Sequence, residues 1–276
     1  MWSRALPALV TFRGVLRPRL RALSATFLLV VLAAGGPSVF AQGAPSIPRV
    51  KLSIVAVGTF QATRAPPFRF AGTGFVVSDG TMVATNAHVL PAVLEQGADP
   101  EFLVAMLPTA DPARPEVRRL ATLTTDAEHD LAVLKMSGAP LPALPLRDSA
   151  TVAEGDQLLF TGFPIGTVLG LFPATHRAMV AAIAPVAIPA ASGQQLDAKV
   201  LRRLREGTFP IFQLDATAYP GQSGSPLYDS ASGEVVGIIN MVLVKSTKES
   251  ALSQPSGISY AIPSRLLIEL LARVKR

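Results

Sequence analysis

Tyr219-Pro-Gly-Gln-Ser-Gly-Ser-Pro226 is a glycine-bracketed serine between two stretches that read as strands. A serine hydroxyl is a poor nucleophile at neutral pH. It needs a base within hydrogen-bond reach and N–H donors aimed at the charge it creates. The octapeptide can supply the donors itself. Gly221 lets the backbone turn tightly enough for its own N–H and that of Ser223 to converge, and Gly224 leaves space around the hydroxyl. Clusters of Gly, Ser and Pro between strands are also ordinary turn chemistry, so the base and its orienting acid have to be found upstream.

Upstream, short apolar runs broken by Gly, Pro, Asn and Asp predict strands at 51–60, 74–78 and 82–85, with Ser78-Asp-Gly80 as the hairpin turn between the last two. His88 follows directly, in Asn86-Ala-His-Val-Leu90, where the chain turns out of the sheet and faces a cleft. Strands are expected next at 102–107 and 118–125. Asp130 then abuts the apolar run Leu131-Ala-Val-Leu134, at the edge of a core, where a carboxylate can orient an imidazole and stabilise its charged form. Asp126 and Glu128 compete for that role but read as solvated turn residues.

The proline-rich stretch 138–145 reads as the crossing between two halves of one unit. In the second half strands are expected at 156–160, 176–188, 209–215, 235–244 and 259–262. One internal helix is drawn between Ser192 and Gly207, with Leu196, Val200, Leu201 and Leu204 on one face and a solvated basic face of Lys199, Arg202, Arg203 and Arg205. Ser264 is expected to cap a terminal helix over 264–275, with Arg273, Lys275 and Arg276 at its negative end.

A chain that is 49% hydrophobic and 16% charged, with 24 Pro and 21 Gly, suits a β-rich globular protein better than a helical one. Its formal charge of +6 is concentrated at one end: residues 1–41 hold five arginines and no acid, leaving 20 basic against 19 acidic residues elsewhere. No nucleic-acid partner is therefore expected. The first 41 residues read as a signal peptide, with an Arg-rich arm, a 13-residue apolar run over 22–34 and Val39-Phe-Ala41 at the cleavage position. The run is short of the ~20 residues that span a bilayer. Residues 42–49 read as a linker. Periplasmic or secreted export is the expectation, with a membrane anchor or a mitochondrial presequence as alternatives and membrane contact only through an uncleaved leader. The absence of cysteine removes thiol nucleophiles, thiolate metal sites and Fe–S clusters, and three histidines leave little for zinc, so no metal or cofactor is expected.

His88, Asp130 and Ser223 stand in the order of chymotrypsin, not in that of the α/β-hydrolases. Thr85-Asn-Ala-His-Val89, Asp130-Leu-Ala-Val-Leu-Lys135 and the serine segment beginning at Gln213 resemble the three motifs of the trypsin-like serine proteases of bacterial HtrA/Deg type. Gly233-Glu-Val-Val-Gly-Ile238 and Gly257-Ile-Ser-Tyr-Ala-Ile-Pro-Ser264 resemble the strands that follow, so that the likeness covers about residues 50–272.

The resemblance implies two six-stranded antiparallel β-barrels, about 50–140 and 152–262, with the site in the cleft between them. It implies a serine endopeptidase acting on exported or misfolded polypeptides, with His88, Asp130 and Ser223 as its triad and the Gly221 and Ser223 N–H groups as its oxyanion hole. As in many relatives, it also implies a homotrimer.

Two departures mark this sequence. Ser225 stands where the family usually has glycine, and Ser-Gly-Ser-Pro is instead similar to the glutamyl endopeptidases; Ile239 occupies the place of the histidine with which those enzymes read glutamate. The pocket candidates Thr217, Ala218, Ile238, Ile239 and Asn240 carry no charge, which favours a small or medium apolar side chain before the scissile bond. The resemblance also ends at the helix that in the family leads to a PDZ domain, so activation through such a domain in cis is not expected. Two other readings stay open: a protease fold retained for gripping partner chains, and an enzyme whose oxyanion hole forms only with an effector, the 190–209 insertion being the suspect element.

Overall fold

The structure, a computed structural model, describes residues 44–109, 115–166, 170–185, 209–240 and 257–274. The first six strands are β1 (Ile54–Phe60), β2 (Phe68–Val77), β3 (Met82–Thr85), β4 (Phe102–Leu107), β5 (Glu116–Asp126) and β6 (Leu131–Met136). They close into an antiparallel barrel in the order β1-β2-β3-β6-β5-β4. The next six, β7 (Gln157–Gly162), β8 (Ala174–Pro185), β9 (Pro210–Asp215), β10 (Pro226–Asp229), β11 (Val235–Asn240) and β12 (Ile258–Pro263), close in the order β10-β11-β12-β9-β8-β7. The all-β fold of two six-stranded barrels followed by a C-terminal helix is thus as expected.

The strand sequences explain why the barrels pack as a pair. Successive side chains of a strand point to opposite faces, so a strand apolar at every position buries both. In β1, Val55 and Val57 join Val76, Val83 and Leu134 inside the first barrel. Ile54 and Ala56 face the other way, into a seam shared with Tyr228, Val235, Ile238 and Ile262 of the second barrel. The interior of the second barrel forms a third cluster around Phe160, Val180, Leu214 and Ile239. Helix α2 (Ser264–Val274) lays Leu267, Leu270 and Leu271 onto the seam.

Several local expectations are corrected. Residues 47–51 form a short helix, α1 (Ile47–Lys51), with proline in its first turn, where a linker and the start of a strand were expected. Strand β2 begins at Phe68, because a register shift between Val57 and Gly58 lets pairing continue past the break in apolar alternation. Four-residue β10 was not anticipated; it is short, begins on proline and follows the serine loop directly. Ser264 Oγ donates to the Arg147 carbonyl at 2.5 Å, tying the helix to the crossing segment. The helix expected over 192–207, residues 1–43 and the ends of the strands expected at 176–188 and 235–244 lie outside the described residues.

Candidate active site

Asp130 is the most heavily engaged polar residue of the cleft. It sits just before β6 with φ of 53°, a left-handed conformation uncommon for a residue with a Cβ. Its carbonyl accepts from Ala87 N at 3.1 Å and from Asn86 Nδ2 at 3.0 Å. Its carboxylate accepts from His88 N at 2.8 Å and lies 2.5 Å from His88 Nδ1. The single turn of 3₁₀ helix at Ala87–Val89 therefore hangs on one aspartate, which fixes both backbone and ring of His88. Across the seam, Asn240 Nδ2 at the end of β11 donates to the same carboxylate oxygen at 2.7 Å. A residue of the second barrel thereby holds the acid of the first.

The serine loop is held from both sides as well. Gly224 N donates to Ile239 O at 2.9 Å, next to Asn240, and Thr73 N of β2 donates to Ser223 O at 2.9 Å. Thr73 Oγ1 donates to Gly221 O at 2.8 Å and accepts from Phe163 N at 3.1 Å, while Thr85 Oγ1 donates to Thr73 O at 2.7 Å. A Cβ on Gly72 would meet Val89 at 2.7 Å and Ser223 O at 3.1 Å, so the histidine turn and the serine loop press on the same point of β2. Ser223 is 7% exposed. Among the described residues no hydrogen bond joins its hydroxyl to His88; contacts between a nucleophile and its base are often long without substrate and tighten when it is bound.

The loop's own amides sort into two kinds. Tyr219 N donates to Gln222 Oε1 at 2.7 Å, Gln222 N to Tyr219 O at 3.0 Å and Ser225 N to Gln222 O at 3.0 Å. The N–H groups of Gly221 and Ser223 have no acceptor among the described residues. Pro220 O accepts from Ile165 N at 2.7 Å. Because C=O and N–H of a trans peptide point in opposite directions, the Gly221 N–H faces away from Ile165. Gly221, at φ of 96°, holds a conformation that a side chain would strain.

The five pocket candidates divide. Thr217 is partly exposed, and Ala218 and Ile239 belong to the cluster inside the second barrel. Buried Ser259 steadies that wall, donating to Ala216 O at 2.6 Å and accepting from Ala218 N at 2.9 Å. Ile238 points into the seam, and Asn240 serves Asp130. Sequence reading did not find Thr73 or Asn86; the signal for Thr73 was its place between two glycines, Gly72 and Gly74, on a strand.

The sequence profile of the trypsin-like peptidase domain matches residues 72–238, which holds all three candidate residues. The chain belongs to the trypsin-like peptidase domain family. Among the similar curated proteins, the probable periplasmic serine endoprotease DegP-like of Pseudomonas savastanoi pv. phaseolicola is 29% identical over 204 residues, 74% of this chain and 34% of the relative. That of Hahella chejuensis is 30% identical over 206 residues, 74% of this chain and 35% of the relative. The chain spans about a third of the length of these relatives. The HtrA-type protease AlgW, solved with a decapeptide, matches with a TM-score of 0.58 at 22% identity, over 83% of this chain and 66% of that one. AlgW with a tripeptide matches at a TM-score of 0.56 and 24% identity, over 83% and 62%. The structural likeness concerns the fold.

In this trypsin-like peptidase domain His176 of β8 lies opposite Phe160 of β7, the rings stacked at 5.1 Å, and it faces Tyr219 of the serine loop at 6.1 Å. Its Nε2 is buried and has no partner among the described residues. Burial lowers its pKa below the ordinary value. The unfolded chain then binds a proton that the folded one resists, so the stability tied to this group is complete above about pH 6.5 and declines as pH falls below it. His176→Phe keeps the stack and removes the titration. Urea midpoints measured from pH 7.5 to 5 should fall less steeply for the variant, and parallel curves would refute this account.

Proposed function

We propose that the chain is a serine endopeptidase that hydrolyses polypeptides through an acyl-enzyme, with Ser223 as nucleophile, His88 as base and Asp130 as orienting acid. The observation that carries the reading is the grip on Asp130: its carboxylate binds His88 through both backbone and ring and is itself held by Asn240. With Nδ1–H donated to Asp130, His88 presents the Nε2 lone pair. That nitrogen takes the Ser223 proton as Oγ attacks the carbonyl carbon, and returns it to the leaving amine as the C–N bond breaks. Water repeats the cycle on the ester. Through both steps the negative oxygen is stabilised by the Gly221 and Ser223 N–H groups, each such donor contributing about 2.7–4 kcal/mol in enzymes of this kind.

The amide geometry favours an oxyanion hole assembled without an effector. Pro220 directs its carbonyl to Ile165, leaving the Gly221 N–H on the opposite side of the peptide. The absence of charge at Thr217, Ala218 and Ile239 suits a small or medium apolar side chain before the scissile bond. The leader and the periplasmic relatives support export. No helix among the described residues is long and apolar enough to cross a membrane.

Fluorophosphonate labelling of the purified protein, read by intact mass, tests the proposal. One adduct per chain, together with casein hydrolysis that the label blocks, is the expected result. A folded protein that takes no label would overturn the reading of an assembled site.

A further inference from the structure

A second histidine–aspartate pair lies directly behind Asp130. Asp126 ends β5 and pairs with Leu131 across the hairpin whose loop is 127–130. One of its carboxylate oxygens accepts from His129 N at 3.1 Å; the other lies 3.0 Å from His129 Nδ1 and accepts from Arg273 Nη2 of helix α2 at 2.8 Å. The His129 ring stands edge-on to Phe209, the residue leading into β9, at 4.7 Å. Both barrels and the C-terminal helix therefore meet at the Asp126–His129 pair.

Asp126 is read from the sequence as a solvated turn residue, but its side chain is 9% exposed. Burial raises its pKa, and the hydrogen bonds from His129 and Arg273 outweigh that and hold it below the ordinary carboxylate value. A carboxylate buried to this degree needs such partners to stay charged. Its contact with His129 runs within one turn and includes the backbone N–H, so it shapes the loop.

We propose that Asp126 is a positioning residue for the Asp130 carboxylate, braced by the C-terminal helix through Arg273. A left-handed conformation at a residue with a Cβ persists where the surroundings over-determine it. On the far side of Asp130 this is done by Ala87 N and Asn86 Nδ2, which hold its carbonyl. On the near side it is done by Asp126, which fixes the backbone and the ring of His129. Loosening that side lets the Asp130 carboxylate drift from His88, and the His88 ring drifts with it. The last turn of helix α2 thus bears on the geometry of the proton-transfer pair. The inference rests on the serine-protease reading above.

The test compares wild type, Asp126→Ala, Asp126→Asn, Arg273→Met and Arg273→Lys in the full chain. Hydrolysis of fluorescein-labelled casein is normalised to the fraction of chains that take a fluorophosphonate, so that unfolded protein drops out. Asp126→Ala should lose about 10- to 100-fold in kcat with KM unchanged, the scale on which small misplacements of reacting groups act. Asp126→Asn, which still accepts from the His129 N–H, should restore most of it. Arg273→Met, at a side chain 61% exposed and hence free of core disruption, should lose kcat in the same direction, and Arg273→Lys should recover it. Labelled wild type beside Asp126→Ala and Arg273→Met variants with undiminished kcat per labelled chain would overturn this proposal alone. A loss confined to the labelled fraction or to melting temperature would do the same, because it would make the cluster purely structural. Unlabelled, inactive wild type would overturn the protease reading and this proposal with it.

Discussion

Ser223→Ala is expected to remove fluorophosphonate labelling and to lower casein hydrolysis at least about a thousandfold, in line with the scale of nucleophile loss in serine proteases. Its melting temperature should stay within about 2 °C of wild type. The Ser223 hydroxyl has no hydrogen bond among the described residues, and the loop is held by backbone contacts that alanine keeps: Ser223 O to Thr73 N, and Gly224 N to Ile239 O. His88→Ala loses comparable activity at little cost in stability, since its backbone N–H still reaches Asp130 and Asn240 still occupies the other carboxylate oxygen. Asp130→Asn should fall by up to about ten-thousandfold, because an amide facing Nδ1 favours the wrong tautomer of the imidazole. Casein hydrolysis by Ser223→Ala at the wild-type rate would end the assignment of the nucleophile.

Gly162→Ala should destabilise by about 3 kcal/mol or more, the upper range for overpacking a core. That corresponds to a fall in melting temperature of roughly 6–12 °C for a domain of this size. The cause lies at Ser225. A Cβ on Gly162 would clash with Ser225 Oγ and lie 3.2 Å from Ser225 Cβ and 2.8 Å from Thr73 Oγ1. Ser225 is fully buried and its hydroxyl is without a partner among the described residues. Adding Ser225→Gly to Gly162→Ala should return more than half of the lost stability, and the remainder reflects pressure on Thr73. Because Thr73 Oγ1 supports Gly221 O, the single variant should also label more slowly than its melting temperature alone accounts for. Additive effects of the two substitutions would show that they do not share this contact. Ser225→Ala alone should gain about 1 kcal/mol, by removing a buried hydroxyl that makes no bond.

The parts of the site that could be read in the sequence share one property: each abuts an apolar strand. Asp130 precedes Leu131-Ala-Val-Leu134, His88 follows the short strand at Met82–Thr85, and Ser223 lies between two apolar segments. Both barrels could be anticipated from the same runs, once the order of the three residues pointed to a known architecture. What escaped depends on contacts across long sequence separations. Thr73 reaches Gly221 over 148 positions, and nothing local to Gly-Thr-Gly indicates that partner. Asn240 was placed in the pocket with its neighbours, but it ends its strand at the seam and so reaches an aspartate 110 positions away. Asp126 looked like any acid in a turn, because the arginine that pairs with it lies in the last helix.

The seam that joins the two barrels also bears on when a proteolytic site could be complete. His88 and Asp130 belong to the first barrel, and Ser223 and Asn240 to the second. A ribosome that has emitted only the first half has made an acid and a base with nothing to activate, and each barrel alone leaves the apolar seam in water. On the serine-protease reading, cutting power therefore arrives with the last strands and the helix that covers the seam. Completion of the fold acts as its own safety catch.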